Sequence, residues 1–123
     1  QCNSSAKAYQ LFHPVLSFLA HEEFWVAYLN HQNKVITRHC LSKGGIASTT
    51  VDLRLLLKKG LEVGATGLLL AHNHPTGNLQ PSKADIALTE KINKAAKVID
   101  IQLLDHLIVS EKSYFSFADE NIL

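Results

Sequence analysis

Apolar residues recur at Ala8, Leu11, Phe12, Val15, Phe18 and Leu19. That is the spacing of one helix face, so residues 5–19 are predicted helical, with Ser4 or Ser5 able to cap the start. Pro14 interrupts the pattern, and because it lacks a backbone donor and crowds the preceding turn, it predicts a kink or a split into two short helices. Residues 22–29 are rich in aromatic and β-branched side chains, 30–33 are turn-forming and 34–41 resume an extended pattern, which together predict a hairpin. Gly44-Gly45 ends it. After Thr49-Thr50, residues 52–62 read as a helix with Asp52 as N-cap and Gly64 just past its end, although Gly60 costs about 1 kcal/mol relative to Ala.

Residues 66–71 form an uncharged apolar run too short for a helix, which predicts a buried central strand followed by a loop over 72–81. In 82–98, Ala84, Leu88, Ile92, Ala95 and Ile99 share one face, while Lys91, Lys94 and Lys97 stand outside it, as in an amphipathic helix. Residues 101–109 and 114–117 then predict two strands around a turn at Glu111-Lys112, and 118–123 carry no readable pattern. Interspersed helices and hairpins make the class α/β or α+β, a single domain with a mixed sheet flanked by helices.

The composition narrows the options. With 123 residues, 46% hydrophobic and 19% charged, the chain suits one folded domain rather than disorder. Twelve Lys and Arg against eleven Asp and Glu give a net charge of +1, which does not favour a polybasic nucleic-acid binder. No run approaches the ~18 apolar residues of a membrane span, and the first thirty residues do not read as a signal peptide. Cys2 and Cys40 form no CxxC pair and read as reduced thiols of a cytoplasmic protein. The chain begins Gln1-Cys2-Asn3 and contains no Met, so residues 1–123 read as one domain that is a piece of a longer open reading frame or a processed form.

Chemistry concentrates in His72-Asn73-His74-Pro75 and in Ser82-Lys83-Ala84-Asp85. Histidines at i and i+2 point the same way on extended backbone and can offer two imidazole nitrogens to one ion. Asp85, in the first turn of the following helix, can complete a two-His, one-Asp set, and three protein ligands plus water is the pattern of a catalytic zinc. Ser82-x-x-Asp85 also reads as a capping arrangement at a helix start, and a carboxylate such as Glu22 or Glu23 at a strand start is usually solvated. It is their conjunction in one short chain that favours a site. Asp105-His106, in an apolar strand, is either a satisfied core pair or a support for a metal-ligating imidazole. His13, His21, His31 and His39 lack ligand spacing.

His72-x-His74-Pro75, six residues, then Ser82-x-x-Asp85 resembles the JAMM motif of the MPN-plus metalloprotease superfamily. The runs 70–77, 81–85 and 104–109 are similar to those of the bacterial RadC family, and the resemblance spans about residues 20–117. It implies three layers around a mixed, curved sheet and one zinc ion held by His72, His74 and Asp85, with Ser82 steadying an oxyanion. The family's catalytic Glu stands two residues before the large apolar residue that opens its strand, here Phe24, which points to Glu22 rather than Glu23. Strand alternation lets only one of the two face the site.

The implied activity is zinc-dependent hydrolysis of an amide or isopeptide bond in a peptide or protein, with Glu22 as general acid and base. Other readings carry less. In HNH nucleases the motif residues are spread over a ββα unit rather than adjacent. A non-catalytic binding domain has no need of the complete ligand set. A DNA-repair accessory role, suggested by the RadC name, finds only the single row Lys91, Lys94 and Lys97, with no aromatic row for stacking on single strands. An early strand at a sheet edge can also pair with a second copy of the chain as a homodimer.

Overall fold

The computed structural model describes residues 1–44 and 51–123; Gly45 and Thr49-Thr50, read above as connection, lie outside them. The elements in chain order are α1 (Ser5–Leu16), β1 (Glu23–Leu29), β2 (Val35–Lys43), α2 (Leu53–Glu62), β3 (Gly67–Asn73), α3 (Lys83–Val98), β4 (Gln102–Val109) and β5 (Tyr114–Ser116). The five strands make one mixed sheet in the order β2-β1-β3-β4-β5. β3 and β4 are parallel, joined through α3, while the β1 to β2, β1 to β3 and β4 to β5 pairings are antiparallel.

Two apolar clusters separate the layers. Phe24, Val26, Tyr28, Leu68 and Leu70 of the sheet pack with Leu56 of α2 and with Leu88, Ile92 and Ala96 of α3. On the other face, Ala27, Leu29, Leu69, Ala71, Leu107 and Val109 pack with Ala8, Phe12 and Leu16 of α1. The result is the expected three-layer α/β domain, its alternating strands feeding one helix layer on each side.

Several boundaries differ from the sequence reading for identifiable reasons. Helix α1 is capped by Ser4, whose hydroxyl accepts from the Lys7 amide at 3.2 Å, and it runs unsplit through Pro14 before ending at Leu16. Pro14 lies in its last turn, where it removes the amide hydrogen bond to the Gln10 carbonyl but leaves only two residues beyond it, so the helix ends at Leu16 rather than continuing as a second segment. Phe18, counted above on the apolar face, is 71% exposed. In α3 the buried stripe is Asp85, Leu88, Thr89, Ile92 and Ala96, while Ala84 is exposed and Ala95 only partly covered. Gly60 is where α2 meets the sheet: a Cβ there would stand 3.4 Å from the Tyr28 ring and from Ile101.

Two departures shape the site. Strand β3 continues through His72 and Asn73, placed in a loop by the sequence reading, because both are paired on the sheet: Phe24 opposite His72 on one side, Ile108 and Val109 opposite His72 and Asn73 on the other. Strand β4 carries one extra residue, since Leu68 pairs with Leu103 but Leu69 with Asp105. This bulge at Leu104 resets the alternation, so that Asp105 turns toward the α1 face and His106 toward the α3 face. Gly67 accommodates it, for a Cβ on Gly67 would stand 3.2 Å from the Leu104 side chain.

Candidate metal centre

His72 sits at the C-terminal end of β3, facing α3, and is fully buried against Phe24, whose ring lies parallel to it at 6.1 Å. His74 follows one residue beyond the strand. Its Nδ1 meets the Asn78 carbonyl at 2.7 Å, in a loop turned by Gly77 at φ +82°. Because a carbonyl only accepts, His74 carries its proton on Nδ1, and its Nε2 is left as an acceptor aimed inward.

Asp85 arrives from the first turn of α3 through a capping box. Ser82 Oγ accepts from the Asp85 amide at 3.0 Å and Asp85 Oδ2 accepts from the Ser82 amide at 2.8 Å. The capping and site readings of Ser82-x-x-Asp85 are therefore compatible: the bonds that start α3 also aim its carboxylate. Asp85 Oδ2 stands 3.5 Å from His72 Nε2 and 3.4 Å from His74 Nε2, and the two Nε2 atoms are 3.0 Å apart.

These spacings fit a metal. Ligand atoms roughly 2.0–2.2 Å from a tetrahedrally bound zinc stand about 3.3–3.6 Å from one another, so the three atoms approximate one face of such a tetrahedron. The donor set, two imidazole nitrogens and one carboxylate oxygen, is also the right chemistry. Among the described residues this is the one group of three or more His, Cys, Asp or Glu side chains with ligand atoms so close together.

The electrostatics reflect the same crowding. Burial alone would raise the Asp85 carboxyl, but hydrogen bonding to His72 and His74 holds it far below the usual carboxylate range. His74 is shifted upward by its bond to Asp85, against the opposing effect of burial, and the charge of Glu22 adds to the shift. A carboxylate that draws a proton toward His74 is equally one that attracts a divalent cation.

Glu22 and Glu23 part company as alternation requires. Glu23 shares the α1 face with Trp25, and its carboxylate is engaged by Trp25 Nε1 at 2.9 Å and His21 Nε2 at 2.7 Å. Glu22 shares the parity of Phe24, on the face of His72, and its backbone carbonyl accepts from Gly44 at 2.8 Å. Asp105 and His106 separate in the same way. The Asp105 carboxylate accepts from Ser116 Oγ at 2.6 Å and from the amides of His106 and Ala118, away from the cluster. His106 lies against His72, with Nε2 2.8 Å from His72 Nδ1.

Sequence reasoning missed Thr89, which is 2% exposed and bonded to His106. Its position four residues after Asp85, a polar member of an otherwise apolar stripe, is the signal that could have found it. It also missed Asn73, whose side chain clamps the entry to β1 by accepting from the Glu23 amide at 2.8 Å and donating to the His21 carbonyl at 2.9 Å. Among the described residues His13, His21, His31 and His39 take no part in the metal cluster. A cavity of about 420 Å³ adjoins His74, with an apolar floor from Leu16, Leu19 and Val109 and a rim that includes Thr76 and Lys112.

The RadC-like JAB domain profile matches residues 2–122. This chain belongs to the RadC-like JAB domain family. A UPF0758 protein of Flavobacterium johnsoniae is 56% identical over 119 residues, which cover 97% of this chain and 52% of the relative. One from Porphyromonas gingivalis is 44% identical over 120 residues, covering 97% and 53%. The UPF0758 protein YfjY of Escherichia coli is 42% identical over 105 residues, covering 85% of this chain and 66% of its own. The chain thus spans about half the length of the first two relatives. Among the described residues no helix is long and apolar enough to cross a membrane.

Proposed function

We propose that this RadC-like JAB domain is a zinc-dependent hydrolase that cleaves an amide bond, linear or isopeptide, in a peptide or protein. The observation that carries the reading is the convergence of His72 Nε2, His74 Nε2 and Asp85 Oδ2 to within 3.0–3.5 Å. Strand parity and the charge that Glu22 exerts on His74 support Glu22 as the proton carrier. His72, His74 and Asp85 would hold the zinc, which would supply a Lewis acid and lower the pKa of a bound water toward about 7.

The chain's own groups do the rest. Glu22 accepts a proton from the attacking water and returns it to the departing amine, a general acid and base contribution of roughly 10²–10⁴-fold. Ser82 Oγ already accepts from the Asp85 amide, so its own hydroxyl proton is free to donate to the oxyanion that develops on the scissile carbonyl. The cavity beside His74 offers an apolar floor and a polar rim for the residue flanking that bond.

Metal analysis combined with cleavage of a broad peptide library tests this. One zinc per chain, with cleavage that disappears in Glu22→Gln while the metal stays bound, is the expected result. A zinc-loaded protein that cleaves nothing in the library would favour a binding domain on the same fold.

A further inference from the structure

Behind His72 runs a buried chain of hydrogen bonds that returns to the residues of the metal cluster. His72 Nδ1 faces His106 Nε2 at 2.8 Å, His106 Nδ1 faces Thr89 Oγ1 at 2.6 Å, and Thr89 Oγ1 donates to the Asp85 backbone carbonyl at 2.7 Å. His72 and His106 are 0% exposed and Thr89 2%. The ring of His106 is held by Phe117, stacked at 4.6 Å, and by Phe24, edge-on at 5.5 Å.

The direction of each bond follows from which groups can donate. A carbonyl only accepts, so the Thr89 hydroxyl proton is committed to Asp85. Thr89 Oγ1 can then only accept from His106, which places the His106 proton on Nδ1. An imidazole with its proton on Nδ1 leaves Nε2 to accept, and the His106 Nε2 faces Nδ1 of His72 at 2.8 Å, which places the His72 proton on Nδ1. His72 is left with a free lone pair on Nε2, the nitrogen that faces His74 and Asp85.

We propose that Thr89 and His106 are positioning residues that hold His72 in its metal-binding tautomer and tie it to the helix that supplies Asp85. This rests on the metal site proposed above. The alternation reset at Leu104 is what brings the His106 ring to this face, whereas Asp105 serves Ser116 and the chain beyond β5. A merely structural role for the pair predicts lower stability in the variants and unchanged zinc affinity in whatever remains folded.

The test measures zinc affinity by competition with a chromophoric chelator in wild type, Thr89→Val, Thr89→Ser and His106→Leu, with His72→Ala as control. Thr89→Val and His106→Leu are expected to weaken zinc binding by about 10–100-fold, and Thr89→Ser to recover most of the loss. Imidazole ¹⁵N spectra of metal-free wild type should show the His72 proton on Nδ1. A proton on Nε2 there, or folded Thr89→Val binding within about threefold of wild type, overturns the inference while leaving the metal site standing. If wild type binds no zinc, the site and the inference fall together.

Discussion

Two carboxylate and imidazole clusters occupy opposite faces of the sheet, built from neighbouring strands, and they differ in one respect. In the Glu23 cluster each carboxylate oxygen meets a donor: Trp25 Nε1 and Cys40 Sγ reach Oε1 at 2.9 and 3.7 Å, and His21 reaches Oε2 at 2.7 Å. In the Asp85 cluster, with His72 in the tautomer proposed above, the carboxylate faces two imidazole nitrogens whose ring protons lie on the far side, so three acceptors confront one another until a further proton or a cation enters. The first cluster is complete as protein and needs nothing more. The second has a surplus of lone pairs, which a cation resolves. A metal centre is recognised less by which residue types gather than by this imbalance of donors and acceptors.

The contrast can be broken from either side. His72→Ala should have the largest effect, reducing zinc content from about one per chain to near zero by elemental analysis, because two protein ligands no longer close the site. Glu22→Gln should keep zinc yet lose hydrolysis by roughly 10²–10⁴-fold in a peptide cleavage assay. Ser82→Ala should lower the rate by about 10²–10³-fold through the missing oxyanion donor. It should also cost about 1 kcal/mol of stability in denaturant unfolding through the lost cap. Glu23→Gln should leave zinc content and cleavage unchanged while lowering stability by about 1–3 kcal/mol, since Trp25 and His21 lose a charged acceptor. Equal zinc loss in Glu23→Gln and His72→Ala would dissolve the distinction between the two clusters.

A pH titration sharpens it further. Burial pushes the Glu23 carboxyl up, but its bonds to Trp25 and His21, with the charge of Lys43, leave it below its ordinary value of 4.5. Its contribution to stability is therefore fully present above that value and is lost as pH falls below it, where the unfolded chain takes up the proton first. Thermal unfolding of wild type and Glu23→Gln should converge over that acidic range. Curves that stay parallel down to acid would mean that the Glu23 charge stabilises nothing.

Much of this was legible in the sequence, and the gaps have physical causes. Among the described residues the three helices and five strands were all legible, the helices from the period of their apolar faces and β3 from an unbroken apolar run buried on both faces. Ser82 and Asp85 were readable as a helix cap, and His72, His74 and Asp85 as a ligand set only through their conjunction and the resemblance to the JAMM motif. The end of β3 was not readable: His72 and Asn73 are polar, and pairing alone keeps them in the sheet, His72 with β1 and β4 and Asn73 with β4. The partnership of His106 with Thr89 was hidden for a different reason. It joins a strand to a helix across the interior, and it depends on an added residue in β4 that simple alternation along the chain does not reveal.

That added residue makes β4 non-interchangeable in any redesign of this domain. A bulge-free strand of the same residues grafted from position 103 onward would offer Asp105 to the metal side and turn the His106 imidazole outward onto α1. Engineers who wish to move this histidine and carboxylate face to another scaffold must therefore transplant Leu104 together with the space that Gly67 leaves beside it. A side-chain graft alone carries the ligands across without the support behind them.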